Sequence, residues 1–527
     1  MYARAARRAV FFTAAASLSV KAVYLTLLDD WDDVAHSVAR RFRPAPKNKP
    51  RVVVLGSGWG ALSFVKKLDQ EAVELTVVSP RSFFFYTPLL AGTATGTVSH
   101  TSITEPVRWY LPRAAFIQGE CAAIDPVAKR LTLQPVGAAP PQELAYDYLV
   151  VAVGAVPNTF GIPGVREHAR FLKEVDDGIA IQRTMLANLE RASALLAAAG
   201  PSPSAAAEAE VARLLSWVVI GGGPTGVELC GELTDFLRAE VARYFPALAP
   251  RVTITLLEAA GRVLGTFDPA LSATAAGTLA ALGARVLVNT AVTRVTPEAV
   301  EFRGTKGGEV GRIPHGGVCV WAGGVARRPV VDAFAKQLDP RGALQSSRHG
   351  LVVDPFFRVK GVPDWSVFAL GDCAVSGCAP TAQAAVQQGR FLGRAFRDAL
   401  GALSAEDPAA AGSGGGGGVA PFAFRPRGAL AYTGGGTGVA ELSSLKVALW
   451  DAHPSRAGAA GAPPPPPPPP PTRVEGAPAY AIWRSLYFSS ILSVSNQAAV
   501  AFDWARTALF GRGISTPYSS PEEKGAA

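Results

Sequence analysis

Two stretches of the chain share one hydrophobic pattern. Arg51–Leu55 (RVVVL) is a short apolar run that stops at Gly56, and Trp217–Ile220 (WVVI) is another that stops at Gly221. Small residues follow each, then a segment with helical spacing, then a second apolar run: Glu74–Val78 (ELTVV) and Val252–Leu257 (VTITLL). Strands that are apolar throughout are buried on both faces, and buried strands alternating with helices mean parallel sheets. The pattern predicts an α/β protein with two Rossmann-like, doubly wound domains. Another apolar run, Ser366–Leu370 (SVFAL) before Gly371 and Asp372, reads as the chain returning to complete the first domain. The predicted organisation is a leader at 1–48, a first domain in two parts at 49–170 and 336–440, a second domain at 171–335, a Pro-rich linker at 441–478 and a C-terminal region at 479–527.

Composition narrows the function. A chain of 527 residues exceeds one compact domain. The formal charge of +9 is spread without a long Lys/Arg run, which does not read as nucleic-acid binding. Five cysteines (Cys121, Cys230, Cys319, Cys373, Cys378) form no CxxC, so neither a zinc site nor a disulfide framework is expected, and the six histidines make metal catalysis unexpected. Residues 1–28 carry Arg4, Arg7, Arg8 and Lys21 but no acid before Asp29, the composition of an organellar transit peptide. Lys21 interrupts Ala9–Leu28, whose length is marginal for a membrane span. Gly412–Gly418 and Pro463–Pro471 read as low-complexity surface insertions.

Each strand–helix junction carries phosphate-cradling chemistry. Gly56-Ser57-Gly58-Trp59-Gly60-Ala61 is a GxGxxA turn: Gly56 permits the tight turn, Gly58 lets the backbone approach a pyrophosphate, and Ala61 lets helix and strand lie close. The acid expected at the end of the next strand is replaced by Ser79-Pro80-Arg81. The second turn, Gly221-Gly222-Gly223-Pro224-Thr225-Gly226, is a full GxGxxG, and its next strand ends in Glu258, which suits ribose hydroxyls and repels a 2′-phosphate. NADH over NADPH follows. Flavin accepts hydride from a nicotinamide and passes electrons on, so one turn suits FAD and the other NADH.

These residues resemble the type II NADH:quinone oxidoreductases, the single-subunit alternative NADH dehydrogenases of bacteria and organelles. The resemblance runs over about 50–515, through Val52–Ala61, Val78–Leu90, Val219–Leu233, Cys319–Pro329, Phe368–Asp372 and Pro380–Arg394 (PTAQAAVQQGRFLGR). It implies non-covalent FAD held by Gly56, Gly58, Trp59, Gly60, Ala61, Ser79, Arg81, Thr87, Gly154, Asp372 and Ala382. NADH would lie on Gly221, Gly223, Pro224, Thr225, Gly226, Glu258 and Gly323. It implies a membrane quinone, ubiquinone or plastoquinone, as oxidant, with Glu228, Gln383 and Gln387 at the chemistry. Glu228 and Glu232, and likewise Gln383 and Gln387, stand four apart on one helix face. Trp483–Ser515 resembles the family's membrane-anchoring region, with Val500, Ala501, Trp504, Ala505, Ala508 and Leu509 on an apolar half and Asp503, Arg506 and Thr507 opposite. Trp483, Tyr487, Trp504 and Arg512 suit a lipid interface. A homodimer is expected, peripheral to the mitochondrial inner membrane or to the stromal side of the thylakoid. Two other readings keep FAD and NAD: a redox-sensing flavoprotein of the apoptosis-inducing-factor type, which would turn over quinone poorly, and a sulfide:quinone oxidoreductase, which needs a redox cysteine pair. Leu62–Leu68 (LSFVKKL) offers no cysteine for the latter.

Overall fold

The computed structural model describes residues 48–137, 139–409, 418–442 and 471–514. The leader expected at 1–48 lies outside them but for its last residue, as do the glycine and proline tracts except Gly418 and Pro471.

The first sheet has seven strands, in the order Val367–Ala369, Tyr148–Val151, Arg51–Leu55, Glu74–Ser79, Ala115–Asp125, Arg130–Pro135 and Gln142–Ala145. Its first five are parallel, and Val367–Ala369 pairs with Tyr148–Val151 as the predicted return of the chain. The second sheet orders Arg170–Phe171, Cys319–Trp321, Ser216–Ile220, Thr253–Leu257 and Ala284–Leu287, all parallel. Its central strand is buried at every position, which is why it reads as an unbroken apolar run. Both glycine turns close alike: Gly56 N–H donates to Val78 O and Gly221 N–H to Leu257 O, each 2.8 Å, tying the turn to the end of the neighbouring strand.

Two predicted boundaries shift. Arg170 already pairs with Val320 in the second sheet, and the crossing segments Val156–Pro157 and Val325–Ala326 pair with each other, so the domains part before residue 170. The larger correction lies at 429–478. Ala429–Gly434, Thr437–Leu442 and Thr472–Glu475 form one antiparallel sheet, so neither a first-domain assignment ending at 440 nor a linker over all of 441–478 holds. This sheet lies on the helix Pro224–Phe236 of the second domain: a Cβ on Gly231 would stand 2.6 Å from Gly434 N.

Small residues set the deepest contact of the first domain. The helix Trp59–Lys67 crosses the helix Ala382–Leu403 so closely that a Cβ on Gly389 would collide with Gly60 O, and one on Gly393 would stand 2.5 Å from Phe64 O. Gly389 and Gly393, four apart, let the long helix lie against the first glycine turn.

Candidate functional site

A cavity of about 710 Å³ runs from the first glycine turn to the second, within the range of cofactor pockets. Its first end is built from Gly56–Gly60, Ser79 and Arg81. Gly56 sits at φ +113°, and a Cβ there would collide with Ala152 O; a Cβ on Gly58 would meet nothing within 4 Å, so that position opens on the cavity. The helix Trp59–Lys67 begins with no side-chain cap and no acid in its first turn, leaving N–H groups free for a phosphate. Ser79, in place of the expected acid, hydrogen-bonds Ser57 at 2.8 Å between hydroxyls. Arg81 pairs with Glu174 and lies 4.9 Å from the centre of the Phe85 ring. Thr87 accepts from Trp59 Nε1 at 2.9 Å, which fixes the indole among Phe84 and Tyr86.

Farther along, Gly154, Asp372 and Ala382 line the cavity. Asp372 Oδ2 lies 3.4 Å from Lys173 Nζ. Gln388, buried, accepts from Gly371 N–H at 2.7 Å and donates to Ser376 at 2.9 Å, so it holds the Gly371–Asp372 turn. The donor set fits FAD: open glycines and helix N–H groups for a pyrophosphate, an acid for a polyol, and apolar walls for a flat ring. The long helix starts at this wall, with Thr381 as its cap accepting from Ala384 N–H, and presents Ala382 and Ala385 to the cavity.

Gln383 and Gln387 are not brought to this cavity. About 100° per residue separates neighbouring side chains on a helix, so with Ala382 and Ala385 facing inward both amides turn aside. Gln383 Oε1 accepts from Arg427 N–H at 2.9 Å; Gln387 accepts from Arg425 N–H at 3.0 Å and donates to Arg425 O at 2.9 Å. Together they hold the 425–427 backbone.

The far end of the cavity belongs to the second domain. Pro224, Thr225 and Glu228 line it beside Arg328 and Val330. A Cβ on Gly221 would stand 2.6 Å from Ala322 O and one on Gly226 would collide with Gly221 O, so both glycines answer to close backbone approach; Gly223 is open. Glu258 receives N–H bonds from Gly222 at 2.5 Å and Ala260 at 2.6 Å, which fixes its carboxylate at the turn. A Cβ on Gly323 would press on the Trp321 indole at 3.0 Å.

Glu228 is 8% exposed. Its Oε1 accepts from Trp483 Nε1 at 2.9 Å and Tyr432 N–H at 3.3 Å. Burial pushes its carboxyl up to about 8, with Glu232 adding to the rise and the two donors opposing it. Tyr487 lines the cavity and stands 6.4 Å, ring to ring, from Tyr86; burial raises both phenols. Lys173 escapes the sequence motifs, and the roles of Gln388, Trp483 and Tyr487, though these residues lie within them, are not legible there. Trp483 and Tyr487, read as interfacial, instead face the site, and the i, i+4 spacing that joins them was the available signal.

The apolar half expected to meet lipid is split: Val500 and Trp504 are buried, whereas Ala508 and Leu509 stay exposed. On Val494–Phe510, Asn496, Val500, Asp503 and Trp504 are buried. Asp503, expected opposite the apolar half, accepts from Ser99 N–H at 2.8 Å; Asn496 donates to Thr104 O at 2.8 Å and Thr507 to Thr97 O at 3.1 Å. These polar groups satisfy the backbone of the 97–104 loop, so they point inward. Trp504 lies under the Arg484 guanidinium at 4.1 Å, and Arg512 pairs with Glu232 at 3.3 Å. The outer face carries Val494, Phe502 at 68% exposure, Leu509, and Phe510 at 72%. No helix among the described residues is long and apolar enough to cross a membrane.

All five cysteines are free. Burial pushes the Cys373 thiol up to about 11 and the Cys121 thiol to about 12, the opposite of an activated thiolate.

Known proteins carry the same plan. The pyridine nucleotide-disulphide oxidoreductase family matches residues 50–389, and the NDH2 C-terminal domain matches 469–513. A probable mitochondrial NADH-ubiquinone oxidoreductase of Schizosaccharomyces pombe is 35% identical, over 90% of this chain and 85% of its own. External mitochondrial NADH-ubiquinone oxidoreductase 2 of Saccharomyces cerevisiae is 34% identical, over 88% and 82%. The solved NDH2 of Plasmodium falciparum in complex with NADH superposes with a TM-score of 0.75, at 23% identity, over 89% of this chain and all of that one.

Proposed function

The chain belongs to the pyridine nucleotide-disulphide oxidoreductase family and, within it, to the type II NADH dehydrogenases, and from that premise we propose how its own residues divide the work of NADH:quinone oxidation. It is an FAD-dependent NADH:quinone oxidoreductase that pumps no protons. Its relatives are named as mitochondrial proteins, which supports a peripheral place at the inner mitochondrial membrane. One observation carries the division of roles: a single cavity is lined by the first glycine turn, by Pro224 and Thr225 at the end of the second, and by Tyr487 of the C-terminal segment.

FAD bound at the first turn supplies an acceptor for hydride and a donor of two electrons to quinone. Gly56, Gly58 and the Trp59–Lys67 helix start take its pyrophosphate, Asp372 its polyol, and Ala382 and Ala385 leave room for its ring. Pro224, Thr225 and the Gly221–Gly226 turn hold NADH, with Glu258 at its adenosine ribose. Glu228, Tyr487 and Trp483 close the cavity toward the C-terminal helices, where a quinone ring enters. Gln383 and Gln387 shape the quinone side by holding the 425–427 segment that covers their helix.

The membrane side is the outer face of Val494–Phe510. Val494, Phe502 and Leu509 fall within one third of the helical wheel, exposed and apolar, and a helix of this kind lies in the lipid interface rather than across it. The oxidant is a membrane quinone, and a homodimer would place two such faces on one bilayer. Substituting Phe502 and Phe510 by serine tests the docking face: binding to vesicles should fall while reduction of a soluble quinone analogue persists. Unchanged vesicle binding would move the anchor elsewhere.

A further inference from the structure

An antiparallel ribbon, Val156–Pro157 against Val325–Ala326, joins the two domains beside the large cavity. At one end its strands run into cavity-lining residues, 153–155 on one side and 328–330 on the other. Its other end lies at the second glycine turn: Ala322, just before the ribbon, has its O 2.6 Å from where a Cβ on Gly221 would stand. A dinucleotide seated on that turn and reaching into the cavity passes this ribbon.

Phe160 stands at the end nearer the turn. A Cβ on Gly324 would lie 3.4 Å from its Cζ, and its ring centre is 6.4 Å from that of Trp321. The side chain is 66% exposed. Its backbone sits at φ +51°, a region that crowding of the Cβ against the backbone makes costly for an L residue. Among the described residues six besides glycine share a positive φ, and Phe160 alone of them is both apolar and exposed. Leu264 and Phe357 are buried, so packing offsets their strain. No such burial offsets it at Phe160. The loop is nonetheless tied down. Asn158 Oδ1 accepts from Phe160 N–H at 2.9 Å, Asn158 N–H donates to Gly324 O at 3.1 Å, and Trp321 Nε1 donates to Asn158 O at 2.9 Å. A bulky apolar ring is held in water, against its backbone preference, over the strand end that adjoins the second turn.

We propose that Phe160 is a clamp for the pyridine dinucleotide, its ring closing over the nicotinamide ribose of NADH; this rests on the reading that NADH occupies the Gly221–Gly226 turn. The carbon face of the sugar covers apolar surface that the chain itself leaves in water. The ring carries no charge and lies toward the nicotinamide half, so its grip is blind to a 2′-phosphate on the adenosine half. Discrimination between NADH and NADPH stays with Glu258.

The test uses the full-length, FAD-loaded protein. Calorimetric titration with NAD+ reads binding without turnover. Stopped-flow absorbance of the flavin reads half-saturation by NADH and, separately, the quinone step. Asparagine accepts a positive φ readily and carries no ring, so Phe160→Asn removes the clamp and relieves the strain together. It should bind NAD+ about tenfold more weakly and raise the half-saturating NADH concentration alike, the scale of covering one large apolar side chain. The limiting rate of flavin reduction, the quinone step and the preference for NADH over NADPH should each stay within about twofold. The melting temperature should hold or rise, whereas loss of a merely structural ring would lower it. Phe160→Tyr should keep the affinity. Gly223→Val sets a branched side chain where the turn is open and checks the seat of NADH. Unaltered affinity in Phe160→Asn, with binding lost in Gly223→Val, overturns the clamp alone; so does weaker binding that comes with a lower melting temperature. Unaltered NAD+ binding by Gly223→Val would instead strike the reading on which the clamp rests.

Discussion

Glu228→Gln should make the protein more stable at alkaline pH, though it removes a carboxyl from the site. In the folded chain the carboxyl is pushed from its ordinary 4.5 up to about 8, chiefly by burial. A raised pKa means that folding favours the protonated form. Below pH 4.5 the group is neutral in both states and costs nothing. Between 4.5 and about 8 the unfolded chain ionises and the folded one does not, so stability falls as pH rises; above about 8 both are ionised and the loss stops. The interval is about 3.5 units, and each is worth about 1.36 kcal/mol, which gives a total on the order of 5 kcal/mol. Glutamine keeps the oxygen that accepts from Trp483 and Tyr432 but cannot ionise. Urea denaturation at pH 6, 6.5 and 7, with saturating FAD, should show the unaltered protein losing stability relative to Glu228→Gln with a slope of about 1.4 kcal/mol per pH unit, a slope that falls off toward pH 8. Identical pH slopes would refute the argument by showing that the carboxyl ionises in the folded protein at an ordinary pH.

Glu258→Gln should relax discrimination against NADPH by roughly 1–3 kcal/mol, the scale of one charged hydrogen-bonding contact, read as the ratio of kcat/KM for the two cofactors; equal efficiency with both in the unaltered enzyme would remove the basis for it. Gln388→Leu should leave Gly371 N–H without its buried acceptor and cost about 1–3 kcal/mol of stability, seen as easier FAD release on mild denaturation. Each of Phe502→Ser and Phe510→Ser should weaken vesicle binding by about 1.5–3 kcal/mol, the worth of one large apolar side chain. Point changes suit this test better than truncation of the tail, because Trp483 and Tyr487 of the same segment reach the site.

The parallel sheets were legible because buried strands leave an unbroken apolar signature, as in Arg51–Leu55 and Ser216–Ile220. The glycine turns were legible because steric demands there admit little else: Gly56 and Gly221 both combine a positive φ with close backbone approach. The inner face of the last helix was not. Asp503 and Asn496 are polar, and a pattern of polarity alone sends them outward; the structure buries them because the 97–104 loop presents backbone groups that need partners. Gln383 and Gln387 share that ambiguity, since their spacing fixes a helix face without saying what the face meets. The sheet at 429–475 was hidden by the insertion between its second and third strands, which reads as linker.

The central claim is that one cavity takes electrons from NADH and gives them to quinone. It is tested most directly by following NADH oxidation and quinol formation together, with purified FAD-loaded protein on sealed vesicles that contain quinone and a pH-sensitive dye. One quinol should form per NADH oxidised, with the pH inside the vesicles unchanged and only the one proton per quinol taken up from the outer medium. NADH oxidation without matching quinol, or acidification of the vesicle interior as quinol forms, would contradict the account.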